Sequence, residues 1–151
     1  MKRMVILLAL GLAGCGGGGG QTHHAKPASF RASYVSLQTR YRAVGAELSQ
    51  TLQQAVNTSN AALQVTFSDQ ASRLEALHAS LGALAAPAAG SAYYAQYLAA
   101  LGRVAADLRA LSSEAAANQT ASAKSTTATL PADLNAGTDD RLAFKRAVGI
   151  S

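Results

Sequence analysis

Apolar residues recur every three or four positions along most of this chain, and this spacing restricts most of it to α-helices. The first stripe follows Ser29, a residue suited to cap a helix, and ends near the polar segment at positions 57–60. Its members are Phe30, Tyr34, Leu37, Tyr41, Val44, Leu48, Leu52 and Ala55. We therefore predict a first helix over about residues 30–57.

Two further apolar stripes predict two more helices, over about residues 61–86 and 91–117. Pro87 and Gly90 separate them, because both residue types end helices, and Ser91 is a candidate cap for the third. The stripes consist of Leu63, Phe67, Ala71, Leu74, Leu77, Leu81 and Leu84, and of Tyr94, Leu98, Leu101, Val104, Leu108, Leu111 and Ala115. Such short connections predict antiparallel neighbours.

The last part of the chain, residues 120–148, has a weaker helical pattern. Residues 118–137 are rich in Thr, Ser and Ala, and we expect them to be partly helical or loose. A short fourth helix is predicted after them, with Thr138 as its cap and Leu142 facing the core, Val148 being a second inward candidate. The predicted fold is an all-α, antiparallel three- to four-helix bundle over residues 29–151.

The N-terminal segment has the organisation of a signal peptide. Lys2 and Arg3 precede an apolar run of about nine residues, which is shorter than the ~20 residues needed to span a bilayer. Leu12-Ala13-Gly14-Cys15 then resembles the lipobox of bacterial lipoprotein signal peptides. The resemblance implies that residues 1–14 are removed and that the Cys15 thiol is lipidated. Because the chain has one cysteine, the alternative is an ordinary secretory signal followed by a thiol that forms no internal disulfide.

Residues 15–28 form a predicted flexible tether, since five glycines follow the cysteine. About a dozen such residues reach roughly 20 Å, which keeps the folded part near the lipid. Gly16 stands where an aspartate would resemble an inner-membrane retention signal. The resemblance therefore implies the outer membrane or, in an organism without one, the outer face of the plasma membrane.

Charge and motifs exclude several classes of function. The chain has 13 basic and 8 acidic residues, and removal of Lys2 and Arg3 leaves 11 basic residues and a net charge of +3. No basic run is interleaved with aromatic residues, so we expect no nucleic-acid binding. His78 is the single histidine of the predicted bundle, and Glu75 beside it suggests a surface pair rather than a catalytic one. We predict no catalytic residue, no cofactor and no metal site.

An antiparallel bundle predicts a tether-side end that is basic and aromatic. Its expected charges are Lys26, Arg31, Arg40, Arg42, Arg73, Arg103, Arg141, Lys145 and Arg146 against Glu75, Asp139 and Asp140. The far half would hold Arg109 and Lys124 against Glu47, Asp69, Asp107, Glu114 and Asp133. The predicted membrane-facing residues are Arg31, Arg40, Arg42, Lys145 and Arg146, and the predicted aromatic cluster is Tyr34, Tyr41, Tyr93, Tyr94 and Tyr97, near Phe30 and Phe144. The alternative is that a few charges segregate by chance while the aromatic rings fill a bundle end.

These observations predict a membrane-anchored extracytoplasmic lipoprotein that serves as a non-catalytic binding or envelope-structural module. Its expected partners are the membrane, through lipid on Cys15, and another protein. The alternative is a small-molecule or metal-binding helical bundle with a pocket near the tyrosines. A cavity there with an inward polar group would favour this alternative, and a filled core would disfavour it.

Overall fold

The computed structural model describes residues 29–150, and within this range it contains helices and no strand. The four helices are α1 (Phe30–Gln54), α2 (Asn60–Gly82), α3 (Ser91–Ala116) and α4 (Thr120–Ala147), with single 3-10 turns at Ala55–Asn57 and Ala88–Gly90. The helices pack against one another, so the predicted all-α helical bundle is confirmed. The predicted signal peptide, Cys15 and tether lie outside the described residues.

Contacts at the helix ends show that neighbouring helices run antiparallel. The ring of Phe30, at the start of α1, lies 5.8 Å from that of Phe144 near the end of α4. Tyr94, near the start of α3, donates its hydroxyl hydrogen bond to the carbonyl of Leu81 near the end of α2. We call this the tether-proximal end, because residue 29 lies there, and the opposite end the distal end.

The core runs along the bundle axis and is built mainly from leucine, tyrosine and alanine side chains of α2 and α3. The closest backbone approaches join α3 to α2 and to α4, whereas α1 packs mostly through large side chains. The fully buried side chains with the largest volumes are Tyr34, Tyr97, Phe144, Leu81, Leu101, Leu108 and Leu130. None of the described helices is long and apolar enough to cross a bilayer.

Of the three predicted helix caps, Ser29 is present, whereas Ser91 and Thr138 cap no helix. Ser29 caps α1 by accepting a hydrogen bond from the Ala32 amide at 3.3 Å, as predicted, and the polar break before α2 contains a second cap, Ser59. Ser91 is instead the first residue of α3, and its hydroxyl donates to a carbonyl of the preceding turn. Helix α2 ends at Gly82, earlier than the predicted residue 86, and Pro87 disfavours a helical backbone at Ala86.

Helix α4 is a single continuous helix over Thr120–Ala147, so the weak helical region at 120–148 is one helix and the separate short helix capped by Thr138 is wrong. Thr138 lies inside α4 and caps nothing. The helix continues through Pro131, although this residue has no amide hydrogen to donate to the helical hydrogen bonds. Contacts with α3 stabilise the middle of α4: Leu130 is fully buried, and a Cβ added to Gly137 would lie 3.3 Å from the Cβ of Ala100. Tertiary packing thus overrides the weak helix propensity of the Thr- and Ser-rich sequence.

The inward side of α4 differs from the predicted one. Leu142 is 42% exposed, and Phe144 occupies the core in its place. Two residues correspond to about 200° around a helix, so both cannot face inward. Val148 is half-buried against the core, as expected, and Gly149 with φ of 65° turns the chain so that Ile150 packs back onto the bundle.

Candidate functional site

Aromatic rings from three helices fill the tether-proximal end. The Tyr34 ring is stacked on Phe30 with centroids 5.6 Å apart and meets the edge of Phe144 at 5.3 Å. Tyr94 approaches Phe144 to 4.8 Å. These offset and edge contacts are the favoured geometries of aromatic pairs, and they bury the side chains of Tyr34, Tyr94 and Phe144.

A second aromatic pair continues the cluster one layer deeper. Tyr97 lies edge-on to Tyr41 at 6.0 Å and accepts a hydrogen bond from the side-chain amide of Gln38 at 3.1 Å. The Arg141 guanidinium stands 6.0 Å from the Tyr41 ring centre, within the range of a cation–π contact. Tyr93 is 45% exposed and does not join the rings, so four of the five predicted tyrosines come together.

Burial keeps the inner phenols protonated. It raises the pKa of Tyr34 and of Tyr94 to about 12, and it raises the pKa of Tyr97 even further above its ordinary range. The Tyr34 hydroxyl is buried and has no hydrogen-bond partner among residues 29–150. The tyrosine cluster is therefore a filled core, which disfavours a ligand pocket at the predicted position.

The predicted basic residues fall into two groups on the surface. Arg31 follows Phe30, and Lys145 and Arg146 follow Phe144, so all three residues lie at the tether-proximal end. Arg40 and Arg42 lie on the side of the bundle, about 15 Å along α1 from its first residue. Within the part of the chain that the structure describes, none of these five forms an ion pair with a carboxylate. We call Arg31, Lys145 and Arg146 the basic rim.

Ion pairs at mid-height weaken the predicted separation of charge between the two halves. Each joins residues that we expected in opposite halves: Arg73–Glu47, Arg103–Asp133 and Arg109–Glu75. Arg73 also lies 3.6 Å from Asp69. Hydrogen bonds from the arginines hold the pKa of the Glu47 and Glu75 carboxyl groups below their usual range. Within the described residues Arg40, Arg42 and Arg141 also form no ion pair, and neither do Asp139 and Asp140, so the basic rim supplies only part of the positive charge predicted for this half.

His78 does not form the surface pair expected from the sequence. Its carboxylate neighbour, Glu75, is engaged by Arg109 through two hydrogen bonds of 2.9 and 2.7 Å. The imidazole is half-buried and lies against Gly102 of α3. Between residues 29 and 150 no cluster of three or more His, Cys, Asp or Glu side chains is close enough to hold a metal ion.

The distal end carries a groove that the sequence did not predict. It lies between the ends of α1 and α3 and the starts of α2 and α4, with a volume of about 510 Å³. Its apolar surface comes from Leu52, Leu63, Phe67 and Leu111, and its polar residues include Glu114 and Lys124. We call it the distal groove.

One carboxylate in the distal groove has an unusual environment. Glu114 is 8% exposed, and its Oε1 accepts hydrogen bonds from the hydroxyls of Ser122 at 2.5 Å and Thr126 at 2.9 Å. Its Oε2 is buried and accepts no hydrogen bond from any described residue. The signal in the sequence is the position of Glu114, three residues after Leu111 on the buried face of α3, where an acid is costly to bury.

The turn between α3 and α4 shapes one wall of the distal groove. Asn118 adopts φ of 56°, and the Gln119 amide donates to the Glu114 carbonyl at 2.8 Å, which closes α3 as a Schellman motif. The Asn118 side chain also accepts a hydrogen bond from Asn60 of α2 at 2.6 Å. A backbone hydrogen bond to α3 and a side-chain hydrogen bond to α2 thus hold this turn in place.

The fold defines the chain as an all-α helical bundle with a filled aromatic end and a grooved end. In comparisons with known proteins, no family model, no curated protein and no solved structure matches it. Functional conclusions therefore depend on the residues of this chain.

Proposed function

We propose that the protein is a lipid-anchored protein of the cell envelope that acts as a non-catalytic binding or structural module. The observation that carries this proposal is the direction in which the chain enters the bundle. Helix α1 begins at Phe30, two positions after the predicted tether of residues 15–28, at the end where the basic rim forms no ion pair within the described residues. A lipid on Cys15 would hold this end within about 20 Å of the bilayer.

Electrostatic attraction to anionic head groups supports this orientation. A basic side chain close to an anionic membrane contributes up to about 1 kcal/mol, and a single acyl chain binds only weakly by itself. The basic rim would therefore add to the anchor and turn the distal end away from the lipid. In this proposal a partner protein of the envelope would bind the distal end or the sides of the bundle.

The anchor is tested by replacing the acceptor thiol. We expect Cys15→Ser to abolish incorporation of labelled fatty acid and to release the chain from the membrane fraction, because the serine hydroxyl does not form the thioether. Metabolic labelling and fractionation of the parent and variant chains measure both effects. Membrane retention of an unlabelled Cys15→Ser chain would contradict the proposal.

The orientation is tested with vesicles. The Cys15→Ser chain, purified as the cell processes it, should bind vesicles that contain anionic lipid at low salt and dissociate at high salt. Adding Lys145→Gln and Arg146→Gln should weaken binding by up to about 30-fold, or about five-fold for each charge. Lys124→Gln at the distal end is the matched control and should change little. Equal effects of the two ends, or no preference for anionic vesicles, would refute the orientation.

A ligand pocket beside the tyrosines, the alternative function, has less support. Tyr34, Tyr97 and Phe144 are fully buried, and the cavity beneath Tyr41 has a volume of about 20 Å³, enough for roughly one water molecule. Any ligand of this bundle would need a different site.

A further inference from the structure

We propose that the distal groove binds a single-chain amphiphile, with its alkyl chain on the apolar wall and a primary ammonium head group on the Glu114 carboxylate. This inference concerns the opposite end from the basic rim and does not depend on lipid anchoring. It rests on the shape of the groove, on the unpartnered oxygen of Glu114 and on the sign of its charge.

The size and lining of the groove fit an alkyl chain. A volume of about 510 Å³ lies within the usual range of ligand sites, roughly 300–1,000 Å³. Leu52, Leu63, Phe67 and Leu111 line the groove from three different helices, α1, α2 and α3, so apolar side chains face it from several sides. Phe67 and Leu111 are buried and belong to the core, while Leu52 and Leu63 are partly accessible.

Glu114 determines the head group. Its Oε1 already accepts two hydroxyl hydrogen bonds, whereas the buried Oε2 has no partner among the described residues. A buried acceptor without a donor is costly, and an ionised one also lacks a counter-charge. A primary ammonium supplies both the N–H donor and the positive charge, which a neutral or anionic head group does not.

The rim of the groove limits the orientation of the ligand. Lys124, on the first turns of α4, is exposed and lines the opening. It would repel an ammonium group held at the mouth, so the cationic head group should lie inside, next to Glu114, with the chain along the leucines. Because the groove opens at the distal end, a ligand would reach it from the side away from the anchor.

Binding can be measured by adding simple amphiphiles to the Cys15→Ser chain. This chain carries no lipid and is purified without detergent, which would otherwise compete for the groove. In calorimetric titrations below the micelle concentration, decylammonium should bind more tightly than decanol and much more tightly than decyl sulfate. Octylammonium should bind more weakly than decylammonium by about four-fold for each methylene removed. Absence of saturable decylammonium binding, or equal affinity for the three head groups, would overturn the proposal. So would a dimer of the chain that covers the groove.

Variants separate the contribution of the head group from that of the chain. Glu114→Gln keeps an acceptor for Ser122 and Thr126 but removes the charge, so decylammonium affinity should fall by about ten-fold or more while decanol affinity changes little. Glu75→Gln removes a carboxylate outside the groove and is the matched control. An equal loss in both variants would mean that decylammonium binds the acidic surface in general, which would overturn the site.

A second variant tests the groove without altering its buried carboxylate. Thr127 is exposed and lines the opening, so Thr127→Trp should fill the groove without disturbing the core. Thr127→Trp should weaken the binding of both decylammonium and decanol. Unchanged affinity for both would show that the ligand binds at another site. Failure of vesicle binding or of acyl labelling would refute the anchoring proposal and leave these titrations unaffected.

Discussion

Two buried tyrosines, Tyr34 and Tyr97, carry hydroxyl groups in different surroundings. The Tyr97 hydroxyl accepts the hydrogen bond from Gln38, so Tyr97→Phe should leave a buried amide without a partner and destabilise the fold by about 1–3 kcal/mol. The Tyr34 hydroxyl has no partner in the described residues, so Tyr34→Phe should leave stability unchanged or raise it. Urea unfolding of the two variants measures the difference. A larger loss for Tyr34→Phe than for Tyr97→Phe would contradict this assignment.

The buried phenols also predict how stability depends on pH. Burial raises the pKa of Tyr34 and Tyr94 from an ordinary value of 10.0 to about 12 in the folded chain. Below pH 10 both states keep these protons, and above it the unfolded chain releases them first. Stability should therefore fall as the pH rises from about 10 to about 12, because the unfolded state then binds fewer protons. Urea midpoints across this range measure the fall, which Tyr34→Phe should reduce, and a flat profile would refute it.

At the scale of elements, the sequence predicted the helices whose stripes carry large side chains. Helix α3 begins at the predicted residue and ends one residue early, because leucines and tyrosines repeat along it at every turn. For helix α4 the sequence predicted only a weak helical region at 120–148 and did not predict one continuous helix or its inward residues. Its buried residues include Leu130 and Gly137, and the small residue Gly137 is buried because α3 packs closely against it. Periodicity detects bulky apolar residues and overlooks a seam of small ones.

The start of α3 meets the end of α4 at Gly90. A Cβ at this position would lie 2.7 Å from Phe144 and 2.8 Å from Val148, so even one methyl group forces the two elements apart. Gly90→Ala should therefore destabilise the bundle by about 1–3 kcal/mol. Gly45→Ala is the matched control, since a Cβ there meets nothing within 4 Å and should add up to about 1 kcal/mol of stability. Chemical denaturation measures the stability of both variants. A Gly90→Ala variant as stable as the parent would show that this contact is loosely packed.

At the scale of the whole molecule, the two ends of the bundle differ in packing. The tether-proximal end is filled by aromatic rings, whereas the distal end leaves the groove between alanine- and threonine-rich segments. The antiparallel topology, and with it the aromatic end, could be predicted from helix lengths and short turns. The groove could not, because its volume depends on how far four helix ends separate. Glu114 gave the one local signal, an acid on a buried face.

The separation of the two ends leads to a last prediction, that they bind independently. A helix of the length of α3 spans about 40 Å, several times the screening length of charge in physiological salt. Distant sites without shared contacts add their effects to within about 0.5 kcal/mol. Lys145→Gln with Arg146→Gln should therefore leave decylammonium affinity within about two-fold, and Glu114→Gln should leave vesicle binding equally unchanged. If the rim variants changed decylammonium affinity and Glu114→Gln changed vesicle binding by more than this, the two ends would not be independent. A movement of the helices would then have to couple the groove to the basic rim.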